Sequence, residues 1–301
     1  MAAGMKAVRQ RIRSIESTRQ VTRAMELAAA ARLRGSRERA ENVLPYFQAL
    51  AQTMEAVCRG SRDIVSPYLY FGPGPENPGS CCLVVIGGDR GLAGAYNANL
   101  FKAVEKELQK AGEKACAILP VGRKAAEYCR RRGIHAVTEE FSLAGALDAG
   151  DWARMAGLLC RGFVRGEFAR AVLCYTRFYS VLSHCPKIES LLPLGMREDT
   201  TEKTETGTER EESEGSFCRP ILWEPEGEAV LDAIVPEYVA GRIYGALCQS
   251  IASETAARRT AMDAASKNAG EMLDKLYLSY NRARQAGITQ EIAEIAGGER
   301  I

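Results

Sequence analysis

The chain has 301 residues, of which 46% are hydrophobic and 26% charged, so it can build one large domain or two smaller ones around a buried core. Its net charge of +2 excludes a strong overall electrostatic field that would favour nucleic acid. Ten cysteines and two histidines are scattered without metal-ligand spacing. We therefore expect buried free thiols, and neither disulfides nor a zinc site.

The N-terminal sequence, MAAGMKAVRQRIRS, has no apolar core behind its charges. No later run approaches the roughly 20 consecutive apolar residues that a membrane-spanning helix needs. We expect a protein that is cytoplasmic or peripheral to a membrane.

Residues 1–60 are predicted to form mainly one long helix. No proline interrupts 5–44, and residues 1–41 carry ten Lys and Arg against four Glu. Pro45 predicts a stop or a bend. An apolar stripe at helical spacing begins with Val8, Ile12 and Ile15 and continues more thinly through Val21, Met25 and Ala28.

Residues 80–195 are predicted to form an α/β domain, which follows the Pro- and Gly-rich stretch 71–79. Strand-like and helix-like segments alternate there, as is typical of a Rossmann-like domain with a largely parallel sheet. The predicted strands are CCLVVIG from residue 81, 115–121, 171–179 and 187–194, and the predicted helices begin near 97, 123 and 152.

The segment 197–216 is rich in Thr and Glu and has no apolar periodicity. Residues 198–214 within it carry eight acids against two bases. Because such a composition buries too little apolar surface to offset its ordering entropy, we predict a solvated, mobile insertion.

Residues 237–301 are predicted to form a second long helix, since no proline follows Pro236. The helix cannot bury its own stripe, so we expect it to pair with the N-terminal helix in a long antiparallel coiled coil. Alanine fills many inner positions of both helices, which predicts a thin coil. The stripe comprises Val239, Ile243, Leu247, Ile251, Met262, Ala265, Met272, Leu276 and Tyr280, followed by Ile288, Ile292 and Ile295.

The loop in VVIGGDRGLAGAYNANLF, residues 84–101, suggests a phosphate-binding turn between a strand and a helix. It lacks the Lys-Ser/Thr pair of a Walker A motif and the spacing of GxGxxG, and Asp89 places a carboxylate where phosphate would lie. We therefore predict that its glycines allow positive φ and tight packing, and that the chain binds no nucleotide cofactor. No catalytic set such as GxSxG is present either.

The sequence resembles the gamma subunit of the bacterial F-type ATP synthase along its whole length. The resemblance is carried by RIRSIESTRQVTRAMELAAAARLRGS at 11–36, GGDRGLAGAYNANLF at 87–101, SHCPKIESLLPL at 183–194 and the stretch 252–295. It implies a non-catalytic rotor shaft that turns inside a ring of alpha and beta subunits. It further implies contacts with epsilon and c subunits at the foot, and a location peripheral to the cytoplasmic face of the cell membrane.

The resemblance also implies specific contact residues. Beta-subunit contacts map onto Arg23, Met25, Arg284, Gln285 and Thr289, and the foot region maps onto Arg32, Arg34, Arg37 and Arg39. Whether protons or sodium ions drive the assembly stays open, because the ion site would belong to another subunit.

An alternative interpretation is a nucleic-acid-binding module that uses the basic N-terminal helix. Such a module needs stacking aromatic residues beside its basic face, and residues 1–44 contain no aromatic residue. The first interpretation is therefore favoured.

Overall fold

The computed structural model describes residues 2–60, 66–69, 80–112, 116–141, 143–194 and 227–298. The predicted insertion 197–216 lies outside these residues. In chain order the elements are α1 (Ala2–Gly60), β1 (Cys81–Ile86), α2 (Tyr96–Ala111), β2 (Cys116–Val121), α3 (Arg123–Arg132), a 3-10 turn (Ala144–Ala146), α4 (Ala149–Val164), β3 (Arg170–Phe178), β4 (His184–Leu192) and α5 (Gly227–Gly298).

The four strands form one sheet in the order β2-β1-β3-β4. β1 pairs in parallel with both β2 and β3, whereas β4 returns antiparallel to β3. The prediction of a Rossmann-like, largely parallel sheet is therefore confirmed.

The sheet is buried on both faces, as continuous apolar strands predict. All six residues of β1 are buried, and its first two cysteines point to opposite faces of the sheet. Cys82 packs with residues of α4 and α5, while Cys81 packs with residues of α2 and α3. Burial raises the pKa of both thiols to about 12, so they behave as core residues.

The chain divides into two compact units, which we call the coil unit and the sheet unit. The coil unit comprises 1–34, 92–94 and 255–301, and the sheet unit comprises 35–91 and 95–254.

Within the coil unit α1 and α5 run antiparallel, as predicted. Arg9 lies over the ring of Tyr280 at 6.0 Å, and the Tyr277 hydroxyl donates to Glu16 Oε1 at 2.5 Å. As residue numbers rise along α1, those of the partners on α5 fall.

Two details of the helices differ from the prediction. α1 continues through Pro45, which is exposed, so this proline does not end the helix. The coil seam agrees with the prediction only in part. On α1 the predicted Ile12 is buried, together with Ala29 and Leu33, whereas Val21, Met25 and Ala28 are exposed. On α5 the predicted Met262 is buried, together with small residues and Leu273, whereas the predicted Met272 is exposed.

Among the described residues, none of the helices combines the length and the apolar character needed to cross a lipid bilayer.

Candidate functional site

The surface of the coil unit carries apolar side chains among its charges. Small residues such as Ala29 and Ala269 fill the seam, so the two helices approach closely and bury little area per residue. Larger apolar side chains are turned outward instead. They include Val21, Met25, Leu27, Met272, Leu278 and Ile288, and each of these is at least 39% exposed. Many exposed apolar side chains on a thin coil are typical of a surface that a partner covers.

Arg23 and Met25 lie on this outer surface of α1. The Arg23 side chain is 61% exposed and its Nη1 lies 3.3 Å from Glu26 Oε2. Arg23 also lines a cleft of about 360 Å³ between the two helices, together with Arg19, Asp274 and Tyr277. Met25 is 39% exposed, so it is not a seam residue.

Arg284, Gln285 and Thr289 lie on α5 and are exposed. The Thr289 hydroxyl donates to the backbone oxygen of Gln285 at 2.9 Å. This hydrogen bond does not involve the amide group of the Gln285 side chain. The antiparallel pairing places these residues beside the first turns of α1. They therefore lie about 30 Å from Met25 along the coil, at 1.5 Å per residue. The structure does not bring the two predicted sets together, and they form two separate patches.

The four arginines of the predicted foot region are all exposed on α1. Arg32 and Arg34 belong to the coil unit, and Arg37 and Arg39 to the sheet unit. Arg37 Nε lies 2.6 Å from Glu41 Oε1, one helical turn away. An exposed pair of this type contributes little stability, so Arg37 can exchange Glu41 for an acidic partner at low cost.

The glycine loop after β1 directs its backbone N–H groups into the protein. Gly87 donates to Val121 O at 2.8 Å, and Gly88 donates to Asn97 Oδ1 at 3.0 Å. A phosphate cradle needs such groups to be free to face the ligand. The loop therefore lacks the geometry of a nucleotide site at these two positions.

Asp89 in the same loop acts as a backbone acceptor. Its two carboxylate oxygens accept from the N–H groups of Ala144 and Gly145, at 2.9 Å and 3.0 Å. The prediction of tight packing is met at Gly87, and that of positive φ at Gly94 but not at Gly87, Gly88 or Gly91. A Cβ on Gly87 would lie 3.0 Å from the backbone nitrogen of Ala125, and Gly94 has φ +56°.

One buried carboxylate was not found from the sequence. Glu189 on β4 forms ion pairs with Lys187 and with Arg242 of α5, and the Tyr175 hydroxyl donates to Glu189 Oε1 at 3.2 Å. Burial alone would raise the pKa of Glu189, but the two cations outweigh it and hold that pKa below its ordinary value. Among the described residues, no group of three or more His, Cys, Asp or Glu side chains could hold a metal ion.

Comparison with known proteins decides among the interpretations. A family model described as ATP synthase matches residues 4–300. The chain is 38% identical over 296 residues to an ATP synthase gamma chain of Ruminococcus albus, and the match covers 98% of this chain and 97% of that relative. The chain belongs to the ATP synthase gamma chain family. The chain thus has the role of a central rotor shaft in an ATP synthase, and nothing in the comparisons supports the nucleic-acid alternative.

A second relative belongs to the same family, and a solved structure has a similar fold. A sodium ion specific gamma chain of Acetobacterium woodii is 36% identical over 304 residues, covering 99% of this gamma chain and 98% of that relative. The rotor of the Euglena gracilis mitochondrial ATP synthase, in rotational state 1, has a similar fold. The TM-score is 0.63 at 18% identity, and the likeness covers 96% of this chain and 100% of that chain.

Proposed function

We propose that this gamma chain catalyses no reaction itself and turns inside a ring of alpha and beta subunits. Its rotation couples ion flow through a ring of c subunits to ATP synthesis or hydrolysis on the alpha and beta subunits. The chain is peripheral to the cytoplasmic face of the cell membrane, where it also contacts the epsilon subunit.

The exposed apolar residues of the coil unit carry this proposal. Val21, Leu27 and Met272 are each at least half exposed on a coil whose own seam is lined largely by alanine. An isolated coil gains nothing from turning such side chains toward water. A close-fitting sleeve of other subunits would cover them and still allow rotation, because apolar contacts are not directional.

The proposal includes roles for the predicted contact residues. Arg23 and Met25 form one contact with the beta subunits, and Arg284, Gln285 and Thr289 form a second contact about 30 Å away along the coil. Arg32, Arg34, Arg37 and Arg39 form the foot region and attract acidic groups of the epsilon and c subunits.

Co-purification tests the proposal. An affinity-tagged chain is expressed in its own cells, the membranes are solubilised in mild detergent, and the captured proteins are identified by mass spectrometry. We expect alpha, beta, epsilon and c subunits. The matched control is a chain with Val21, Leu27 and Met272 replaced by Ser, which should still capture epsilon and c but lose alpha and beta.

Two outcomes would contradict the proposal. Capture of none of these subunits by the unmodified chain would exclude the assembly. Salt-sensitive binding of the purified chain to duplex DNA at physiological ionic strength would instead favour a nucleic-acid module.

A further inference from the structure

The backbone of Thr176 on β3 lies where the sheet offers it no partner on one side. The parallel register of β3 with β1 ends at the pair Val85 and Cys174, two residues before Thr176. On the other side Thr176 is opposite Pro186 of β4, and proline has no N–H to donate. Thr176 is also buried, so water cannot satisfy its N–H and C=O groups.

Two serines of α5 take the place of the missing strand. The Thr176 N–H donates to Ser250 Oγ at 3.3 Å, and Ser253 Oγ donates to the Thr176 carbonyl oxygen at 3.2 Å. The serines are three residues apart and therefore share one face of α5. Both are buried, Ser253 completely, so solvent does not compete for these hydrogen bonds.

This arrangement fixes α5 about its own axis. Apolar packing alone would let a helix turn by small steps against a sheet, since such contacts have no direction. Hydrogen bonds do depend on direction. Here two of them join the serine hydroxyls to the N–H and the C=O of one residue, Thr176. If α5 turned, both serine hydroxyls would leave Thr176, and two buried backbone groups would lose their partners.

We propose that Ser250 and Ser253 are positioning residues that lock α5 to the sheet against rotation. We call the contact of these two serines with Thr176 the serine latch. Its role in transmitting torque rests on the proposed shaft function, because α5 continues from the latch to Gly298 and any slip at Thr176 would dissipate rotation. Ser250 and Ser253 touch no substrate and act only through the alignment of the helix.

Amide hydrogen exchange of the assembled complex tests the latch itself. Ser250→Ala removes the acceptor of the Thr176 N–H, so exchange at Thr176 should quicken by roughly five-fold, the effect of one lost net hydrogen bond. Ser266→Ala is the matched control, because Ser266 is a buried serine of the same helix in the coil unit. Unchanged exchange at Thr176 in the Ser250→Ala complex would overturn the latch.

Single-molecule rotation tests the role of the latch in transmission. The alpha and beta subunits are fixed to a surface and a bead is attached at Cys185, the exposed member of the described cysteines, after Cys58 and Cys218 are replaced by Ser. The angular variance of the bead during each dwell should increase in Ser250→Ala and Ser253→Ala complexes and stay unchanged in Ser266→Ala. Fewer ions should also be transported per ATP hydrolysed against an opposing ion gradient.

The outcomes separate the latch from the function on which it rests. If the unmodified complex never rotates, the shaft function fails. If it rotates and the latch variants show faster Thr176 exchange but unchanged variance and unchanged ions per ATP, the serines only stabilise the fold and the proposal fails. Should the Ser250→Ala chain not assemble, Ser253→Ala carries the rotation test, since it leaves the Thr176 N–H bond intact and an unpaired carbonyl is better tolerated.

Discussion

At the scale of single residues, Asp89 and Glu189 show how a carboxylate serves structure without chemistry. Asp89 accepts two backbone N–H groups and so orders the turn that begins at Ala144. Glu189 is buried between two cations, and the group as a whole carries one excess positive charge.

The use of the loop N–H groups predicts that the purified chain does not bind ATP at micromolar concentration. Gly87 and Gly88 would have to break their bonds to Val121 and Asn97 before they could contact a phosphate. Isothermal titration calorimetry with Mg-ATP measures this directly. Micromolar binding that is abolished by Gly91→Val would contradict it.

Glu189→Gln is expected to lower the stability of the chain by about 2 kcal/mol at pH 7, because it leaves two partly buried cations without a counter-charge. The folded-state pKa of Glu189 lies below its ordinary value. The stabilisation is therefore fully present above about pH 5 and is lost as the pH falls through the folded-state pKa. Thermal unfolding of the unmodified chain and of Glu189→Gln, measured between pH 3 and pH 7 at roughly one-unit steps, shows how this stabilisation changes with pH.

The matched control for Glu189 is Glu127→Gln. Glu127 makes an ion pair with Lys124 one turn away on the surface of α3, so its loss should hardly change the melting temperature. If the difference between Glu189→Gln and the unmodified chain were the same at pH 3 and pH 7, the carboxylate charge would not be the cause.

At the scale of elements, the periodicity of apolar residues predicts most of the helices and strands. It does not predict which face of each helix is buried in a coil of small residues. The strands of the sheet begin or end within a few residues of their predicted bounds, because long apolar runs bounded by glycine and loop residues are distinctive. Pro45 shows one limit, since α1 continues through this exposed proline although proline alone favours a stop or a bend.

The alanine-rich coil shows the second limit of prediction. Where Ala, Met and Leu alternate at close spacing, a shift of one residue changes which side chain is inside, and hydropathy hardly distinguishes the two. Met272 was predicted in the seam and Leu273 was not, whereas the structure buries Leu273 to 4% exposure and leaves Met272 52% exposed. The serine latch was missed for a related reason, because it depends on where β1 ends relative to β3.

Leu273→Ala is expected to destabilise the coil unit by about 2 kcal/mol, since it removes one of the few large seam side chains and leaves a cavity. Met272→Ala at the adjacent exposed position should change stability by less than about 0.5 kcal/mol. Helical circular dichroism during thermal unfolding compares the two variants. Equal losses of stability in the two variants would contradict the assignment of Leu273, and not Met272, to the seam.

At the scale of the whole molecule, a rotating shaft must resist twisting in its interior, and its outer surface must make contacts that do not depend on direction. Buried hydrogen bonds such as those of the serine latch have direction and resist twisting, whereas exposed apolar residues of the coil unit have no directional preference. A fixed charge on that outer surface should therefore hinder rotation more than a change in apolar bulk does.

Met25→Lys places such a charge in the proposed contact with the beta subunits. The lysine could pair with a beta-subunit carboxylate at one rotor angle, and a partly shielded pair of this kind adds roughly 2 kcal/mol that rotation must overcome. We predict that ATP hydrolysis by the assembled complex persists while fewer ions are transported per ATP, because no catalytic residue is touched. Ion transport and hydrolysis are measured on the same membrane vesicles.

Met25→Leu is the matched control for the lysine variant. Leucine keeps the apolar bulk of Met25 and adds no charge, so its ratio of ions to ATP should equal that of the unmodified complex. If both variants lowered the ratio alike, the shape of the thioether and not the new charge would matter. If neither did, Met25, although 39% exposed, would lie outside the sleeve contact. The contact between the coil and the beta subunits would then have to be sought among the other exposed apolar residues, beginning with Leu27.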